Sequence, residues 1–415
     1  MSNRDARPGA LVLPALFVLY FCLGLSGYGN DNDTYGMLKT WSDLFRHGVY
    51  SPSRPPGYPL PEIAIGAAAQ AGGWAASNAL SALFACGCLA CGGRLVRIAF
   101  GPRAALLSMA AVGLNPYFVI AASSSMDYVY AAFFFLAGIL ALVSGRSLIS
   151  GALFALCVAS RLTYAPLIVL AYAAASVVPA RWPRLRASAD LRKLAGALLL
   201  FLFLGSIFYL PSWISMGPAM FRPTLSDNPV SLVGIDGFPT LAAYAVRFVY
   251  KNVSLWGLPA FLVLAIAAGA AWVLRRRPVA SADSAKPRAP IHPILWAVAA
   301  GILYAEALFF RLPLEIPYLL PVLFLGVFLI NFAPRAASFL VLVAACQALQ
   351  GVAQVDFIEK IYARKSYESV EASGGRVRLH IGRGVVWEDL ATRKDAQAHY
   401  FRSILGDSAV AQSGR

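Results

Sequence analysis

NDNDTYGMLKTWSDLFRHGVYSPSRPPGYPLPE, residues 30–62, follows the first membrane-length apolar stretch of the chain. Between Asn30 and Arg54 it carries three acids, Asp31, Asp33 and Asp43, with Lys39, Arg46, His47 and Arg54. Far less chain would join two membrane helices, and long loops that persist usually carry function. Met37, Leu38, Trp41, Leu44 and Phe45 recur at helical spacing, with Lys39, Ser42, Asp43 and Arg46 between them. That pattern predicts an amphipathic helix over 34–47, lying in the membrane interface and closed by Gly48. Pro52, Pro55, Pro56, Pro59 and Pro61 then enforce an extended turn, and Pro61 can open a second short helix.

The surrounding chain explains why this loop stands out. Of 415 residues, 59% are hydrophobic and 13% charged, against roughly 25% charged in a soluble domain; the mean hydropathy is +0.65. Apolar runs approach the ~20 residues that cross a hydrocarbon core as a helix. Lipid offers no partner to unsatisfied backbone groups, so the fold class is an all-α polytopic membrane protein. Window hydropathy predicts about eleven spans, near 10–28, 75–97, 104–121, 126–144, 148–160, 162–179, 194–212, 254–274, 292–310, 316–331 and 336–353. The fifth is short and meets the sixth at Arg161, as in a bent hairpin buried in the bundle. The first has the basic start and apolar centre of a signal peptide, but the charged loop and the later spans read as an uncleaved anchor.

The formal charge is +15, and its placement matters more than its size. Arginines gather in alternate connections: Arg4 and Arg7, then Arg94, Arg97 and Arg103, then Arg146, the 181–193 group, Arg275 to Arg277, and Arg335. That is the positive-inside pattern. It puts the N-terminus in the cytoplasm, and loops 30–74, 122–125, 213–253 and 311–315 on the outer face with the C-terminal tail. No basic–aromatic patch stands apart from it, so nucleic acid is not an expected partner. Cys86, Cys88 and Cys91 lie among Ala, Gly and Leu with no His or acid nearby, which fits small-residue helix packing rather than a metal site. The chain divides into a transmembrane domain, 1–353, containing the 30–74 catalytic loop, and a polar tail, 354–415. The tail carries ten basic and eight acidic residues, with helices expected over 356–367 and 387–401.

The residues that can carry chemistry fall into clusters predicted to share one face. These are Asp31 and Asp33; Arg54 in SRPPGYP; Asp127 in SSSMDYVY; Arg311 and Glu315 in RLPLEIPYLLP; and Arg161 in ASRLTYAP, if its hairpin reaches outward. Ionisable groups at membrane depth are costly and are paired or functional. Each has a plainer reading: Asp33 or Asp127 as a helix cap, Arg54 snorkelling to lipid phosphates, Arg311 and Glu315 as an i,i+4 ion pair, Arg161 pairing inside the bundle. Their convergence on one side is what suggests a site.

Over roughly residues 10–335 the chain resembles the GT-C class of membrane glycosyltransferases, which take sugars from polyprenyl-phosphate donors. Asp33-Thr-Tyr35, Gly48-Val-Tyr50 and SRPPGYPL resemble the first loop of protein O-mannosyltransferases and aminoarabinose transferases. Met126-Asp127 is similar to their second-loop acid, and ASRLTYAP to the turn of their central hairpin. RLPLEIPYLLP, 311–321, resembles the late H-K-E-x-R-F-L-x-P element of lipid-linked mannosyltransferases, although the His-Lys pair is missing and Pro317 stands where an arginine would be.

The resemblance implies an inverting transfer to a hydroxyl acceptor on a glycan, lipid or protein. Asp33 would be the general base, with Asp31 as the second candidate. Arg54, Arg161 and Arg311 would hold the donor phosphate, because a planar guanidinium grips phosphate oxygens bidentately and stays charged. Asp127 and Glu315 would orient the acceptor or an arginine, and Tyr35 and Tyr58 would line the sugar pocket. No cofactor is required by this chemistry, though a divalent metal is compatible with it. The implied partners are the polyprenyl-phosphate sugar, the acceptor and membrane lipids. Ala- and Arg-rich composition points to a bacterial inner membrane, with the site facing the periplasm. A lipid or small-molecule transporter or flippase is the rival; internal repeats and mid-membrane charges would mark one, and neither is visible. A structural subunit of an envelope complex would not need the acid–arginine set.

Overall fold

The computed structural model describes residues 7–177, 191–221, 245, 248–249, 251–257, 293–311, 316–356 and 380–401. Helix α1 spans Arg7–Gly24 and α2 spans Asn32–His47, followed by α3 (Pro59–Phe100), α4 (Pro102–Gly113), α5 (Pro116–Ala122), α6 (Tyr128–Val143), α7 (Ser147–Ser160) and α8 (Ala165–Val177). Helices α9 (Leu191–Met216), α10 (Pro293–Arg311), α11 (Leu320–Ile330) and α12 (Ala336–Val352) follow in the apolar bundle. Most of the expected span at 254–274, and the expected tail helix at 356–367, lie outside the described residues.

Among the described residues, Pro59–Phe100 and Leu191–Phe221 are each long and apolar enough to cross a membrane, and the remaining apolar helices are shorter. The expected span at 104–121 is broken: α4 and α5 bend by 76°. Asn115 causes the break together with Pro116. Its side chain accepts from the Tyr117 and Phe118 backbone N–H groups at 3.0 and 3.1 Å, starting a new helix where the old one ends.

The first loop folds largely as its periodicity predicts. Asp31 caps α2 by accepting from the Asp33 N–H at 3.0 Å, and Gly48 closes it at φ +65°, donating to Leu44 O. Thr34, Tyr35, Met37 and Leu38 are buried. A second short helix follows, over 59–71. It starts at Pro59 and continues into the following span through a kink at Gly72 and Gly73, where Gly73 has φ +62°. Positive φ is cheap only for glycine, so Gly73 lets the outer arm break sharply from the span that follows.

The tail is not wholly helical. Ala353–Asp356 (β1) pairs antiparallel with His380–Arg383 (β2), in register Ala353 with Arg383. The chain leaves α12 extended at Ala353 (φ −138°, ψ 123°), so strand pairing takes over the backbone bonds that the helix gives up. Helix α13 (Val385–Tyr400) follows at once and packs on α5 and α12.

Contacts between helix ends fix relative sidedness. A side chain at Gly24, the last residue of α1, would meet Asn78 in α3 and Ser123 just past α5. Arg161, after α7, reaches Asp127, before α6. The end of α1, the end of α5, the start of α6 and the end of α7 therefore lie at one end of the bundle, together with the first loop.

Candidate active site

Four of the charged candidate side chains converge at that end. Asp127 occupies the cap position of α6 but makes no cap hydrogen bond. Its carboxylate turns inward instead, Oδ2 to Arg161 Nε at 3.3 Å and Oδ1 to Arg54 Nη2 at 3.8 Å. Arg54 also pairs with Asp33. The order is thus Asp33, Arg54, Asp127, Arg161, with charges alternating along one line. The two ends differ in access: Asp127 and Arg161 are 0% and 2% exposed, whereas the Asp33 and Arg54 side chains keep 15% and 22%.

Local structure explains each placement. The backbone around Arg161 is extended (φ −155°, ψ 110°) between α7 and a 3-10 turn, Leu162–Tyr164, so its side chain leaves the hairpin at the tip. Three aromatic rings then surround it: Tyr128 at 4.1 Å, Tyr318 at 4.4 Å and Tyr58 at 5.7 Å from the guanidinium carbon. Such faces stabilise a desolvated cation without using its N–H groups. None of the Arg161 nitrogens has a hydrogen-bond partner among the described residues. A buried guanidinium with unused donors is matched to an anion with several acceptor oxygens.

Arg54 is held from below. Tyr58 lies under it at 4.7 Å, and the neighbouring Ser53 donates both its N–H (2.9 Å) and its hydroxyl (2.6 Å) to Glu62 Oε1. The other Glu62 oxygen accepts from the Tyr50 hydroxyl. Burial first, and the Glu62 charge second, raise the Tyr50 pKa, so the phenol remains a proton donor. Glu62 is wholly buried and ties the SRPPG turn to the first turn of α3. Gly57, at φ +96°, brings the backbone against Tyr50 and Ser212, where a side chain would sit 2.9 Å from both hydroxyls.

The turn that carries Asp127 is equally fixed. Ser125 N–H donates to Tyr28 O at 2.8 Å, its hydroxyl to Asn78 Oδ1 at 2.7 Å, and Thr34 Oγ1 reaches Met126 Sδ at 2.9 Å. Gly29 (φ +141°) allows the loop to pass this turn, since an added Cβ would lie 3.1 Å from Ser124.

The other candidates are placed differently. The Asp31 carboxylate serves the α2 cap, which separates its role from that of Asp33. Tyr35 points away from the charges: its hydroxyl donates to Gly29 O at 3.0 Å and its ring packs on Tyr400 and Phe401. Arg311 ends α10, but its side chain, like Glu315, lies outside the described residues. Sequence reasoning passed over Glu62, Tyr128 and Tyr318. An acid in a first helical turn reads as complementing the helix dipole, and tyrosines near span ends read as interface anchors.

Beside the charged line lies an apolar cavity of about 210 Å³ between α3, α4, α6, α8, α10 and α11. Gly92, Ala171, Ala174 and Gly301 leave the space, and Phe135, Leu136 and Phe324 are among its walls. Tyr164, Leu167 and Pro321 separate it from a smaller pocket lined by Arg161, Tyr128, Tyr304 and Tyr318. Among the described residues no cluster of three or more His, Cys, Asp or Glu side chains is arranged to hold a metal.

Among solved structures the chain is similar to ArnT from Cupriavidus metallidurans bound to undecaprenyl phosphate, with a TM-score of 0.52 and 15% identity. The match covers 83% of this chain and 64% of that one, so the chain spans under two thirds of that ArnT's length. The apo ArnT from the same organism aligns less well, at a TM-score of 0.34 and 15% identity over 82% of this chain and 77% of that one. No family model matches the sequence, and no curated protein matches it. The fold is therefore similar to that of the undecaprenyl phosphate-bound ArnT, in an integral membrane protein built mainly of apolar helices.

Proposed function

We propose that the chain is an inverting glycosyltransferase that moves a sugar from a polyprenyl-phosphate donor to a hydroxyl acceptor at the extracytoplasmic face of a bacterial inner membrane. One observation carries the reading: two arginines and two aspartates alternate at one end of the bundle, and the buried Arg161 keeps its donors unused beside an apolar cavity. A lipid phosphate presents the matching anion and the matching tail. ArnT, with the same fold, was solved bound to undecaprenyl phosphate.

In the proposed reaction the acceptor oxygen attacks the anomeric carbon as the bond from that carbon to the phosphate oxygen breaks. The acceptor proton passes to Asp33, and the lipid phosphate departs as an anion. A phosphate needs no proton to leave, unlike the leaving group of a glycosidase; it needs cations, which Arg54 and Arg161 supply. Arg311, at the end of α10, is assigned to the same phosphate, and Glu315 to orienting it or the acceptor. Asp127 sits between Arg54 and Arg161 and fixes both. Asp33 is ion-paired with Arg54. A donor phosphate competing for Arg54 would release that carboxylate to act as base, so base activity would follow donor binding. The Tyr58 ring, beneath Arg54, is placed to form the floor of the sugar site.

The test is reconstitution in liposomes with labelled polyprenyl-phosphate sugars and a panel of hydroxyl acceptors, reading transferred label and released lipid phosphate. Transfer that depends on Asp33 supports the reading. Lipid scrambling across the same vesicles without transfer would replace it with a flippase.

A further inference from the structure

The tail helix α13 does not hang free of the bundle. It sits against the end where the acids lie, and it touches both of the segments that carry them. Arg393 is wholly buried. Its Nη1 donates to Ser123 O at 2.7 Å and its Nη2 to Ser123 Oγ at 3.0 Å, at the start of the turn that ends in Asp127. Asp389, one turn earlier in α13, holds the guanidinium in place at 2.6–2.7 Å.

The second contact reaches the first loop. Asn30 Nδ2 donates to Asp389 Oδ1 and Thr392 Oγ1, both at 2.8 Å, immediately before the α2 cap. At the far end of α13, Tyr400 and Phe401 pack on Tyr35 in the first turn of α2, with ring centroids 5.1 and 5.7 Å apart. Gly27 makes the approach possible. At φ +135°, an added Cβ there would lie 2.9 Å from Gln397 Oε1 and 3.7 Å from the Arg393 Cβ.

We infer that α13 is a brace for the active site and that Arg393 is its positioning residue, fixing the separation of the Asp33 segment from the Asp127 turn. Arg393 does so from outside the charged line, through Ser123 directly and through Asp389 to Asn30, and it touches no reacting group. Its effect on turnover rests on the transfer reading above; its effect on geometry does not. Displacing a reacting group by about 1 Å can cost on the order of 100-fold in rate. The loss of a buried charged hydrogen-bonding partner should open the turn measurably.

The experiment compares full-length wild type with Arg393→Ala, Arg393→Lys and Tyr400→Leu. Amide hydrogen exchange is read across residues 28–36 and 122–127, and kcat and donor KM are read in liposomes. Arg393→Ala is expected to speed exchange in both segments about ten- to hundredfold while α6 and α7 keep their protection. It should lower kcat about ten- to hundredfold, with donor KM moving less. Arg393→Lys, which retains one charged donor, recovers part of both effects. Tyr400→Leu loosens 28–36 more than 122–127, and stands in if Arg393→Ala fails to fold. Unchanged exchange at 122–127 in Arg393→Ala overturns the brace, as does faster exchange with wild-type kcat. If wild type itself transfers nothing from any donor, the transfer reading falls, and exchange alone decides the brace.

Discussion

Asp127 and Arg161 meet at 3.3 Å across the open end of the α6–α7 hairpin, and neither reaches solvent. A carboxylate buried this way is stable only with its cation, and the cation only with its carboxylate. The pair therefore fixes where a guanidinium with unused donors sits, while leaving those donors to a ligand.

Removing one partner should cost far more than removing both. Asp127→Asn is expected to destabilise the protein by about 3–5 kcal/mol because Arg161 is left buried and uncompensated. The double change Asp127→Asn with Arg161→Met should recover most of that loss. Thermal unfolding in detergent measures the coupling; additive losses would show that the pair is not an energetic unit.

The two acids of the first loop should separate cleanly. Asp33→Asn is expected to reduce transfer about 10²–10⁴-fold with little loss of stability. Asp31→Asn should do neither, since asparagine also caps helices, and Asp31→Ala should cost about 1 kcal/mol of stability. Initial rates in liposomes, paired with unfolding curves, distinguish these outcomes. A larger rate loss for Asp31→Asn than for Asp33→Asn would exchange the roles.

Glu62 should matter to Arg54 without touching it. Glu62→Gln removes the charge that gathers the Ser53 and Tyr50 donors, so the SRPPG turn loosens. Expected are a stability loss of about 1–3 kcal/mol and a raised Kd for undecaprenyl phosphate. Tyr50→Phe should produce a smaller version of the same effect. Titration with the lipid phosphate by intrinsic fluorescence reads it directly.

Filling the apolar cavity should discriminate by lipid length. Ala174→Trp places an indole where a chain would lie, and each excluded methylene forfeits about 0.8 kcal/mol. Keeping out about two of them already weakens binding tenfold. A short-chain prenyl phosphate should be affected less than undecaprenyl phosphate. Equal loss for both would place the tail elsewhere.

What could be read from the sequence depended on contrast. Asp33, Arg54, Asp127 and Arg161 stood out as charges interrupting apolar or proline-rich runs, and the structure gathers all four. The edges were harder to read. Helix α2 starts two residues earlier than its periodicity suggested, which hands the cap to Asp31. Asn115 and Pro116 carried the signal for the 76° bend, but a hydropathy average treats them as two residues among many. Glu62 and Arg393 were hidden for a common reason: each lies on a helix where a charge looks ordinary, and only packing at long range turns it inward. The first tail strand escaped notice because its apolar–polar alternation, Ala353 to Asp356, lasts only four residues. Arg311 and Glu315 were equally visible in sequence, and their side chains lie outside the described residues.

Arg393 and the serine it grips are 270 residues apart in the chain. A ribosome therefore threads the spans between them into the bilayer long before the bracing helix is made. Until then the nascent protein has its lipid-facing bundle but an unlocked mouth. The contacts that lock this end of the bundle thus close late in synthesis, after insertion.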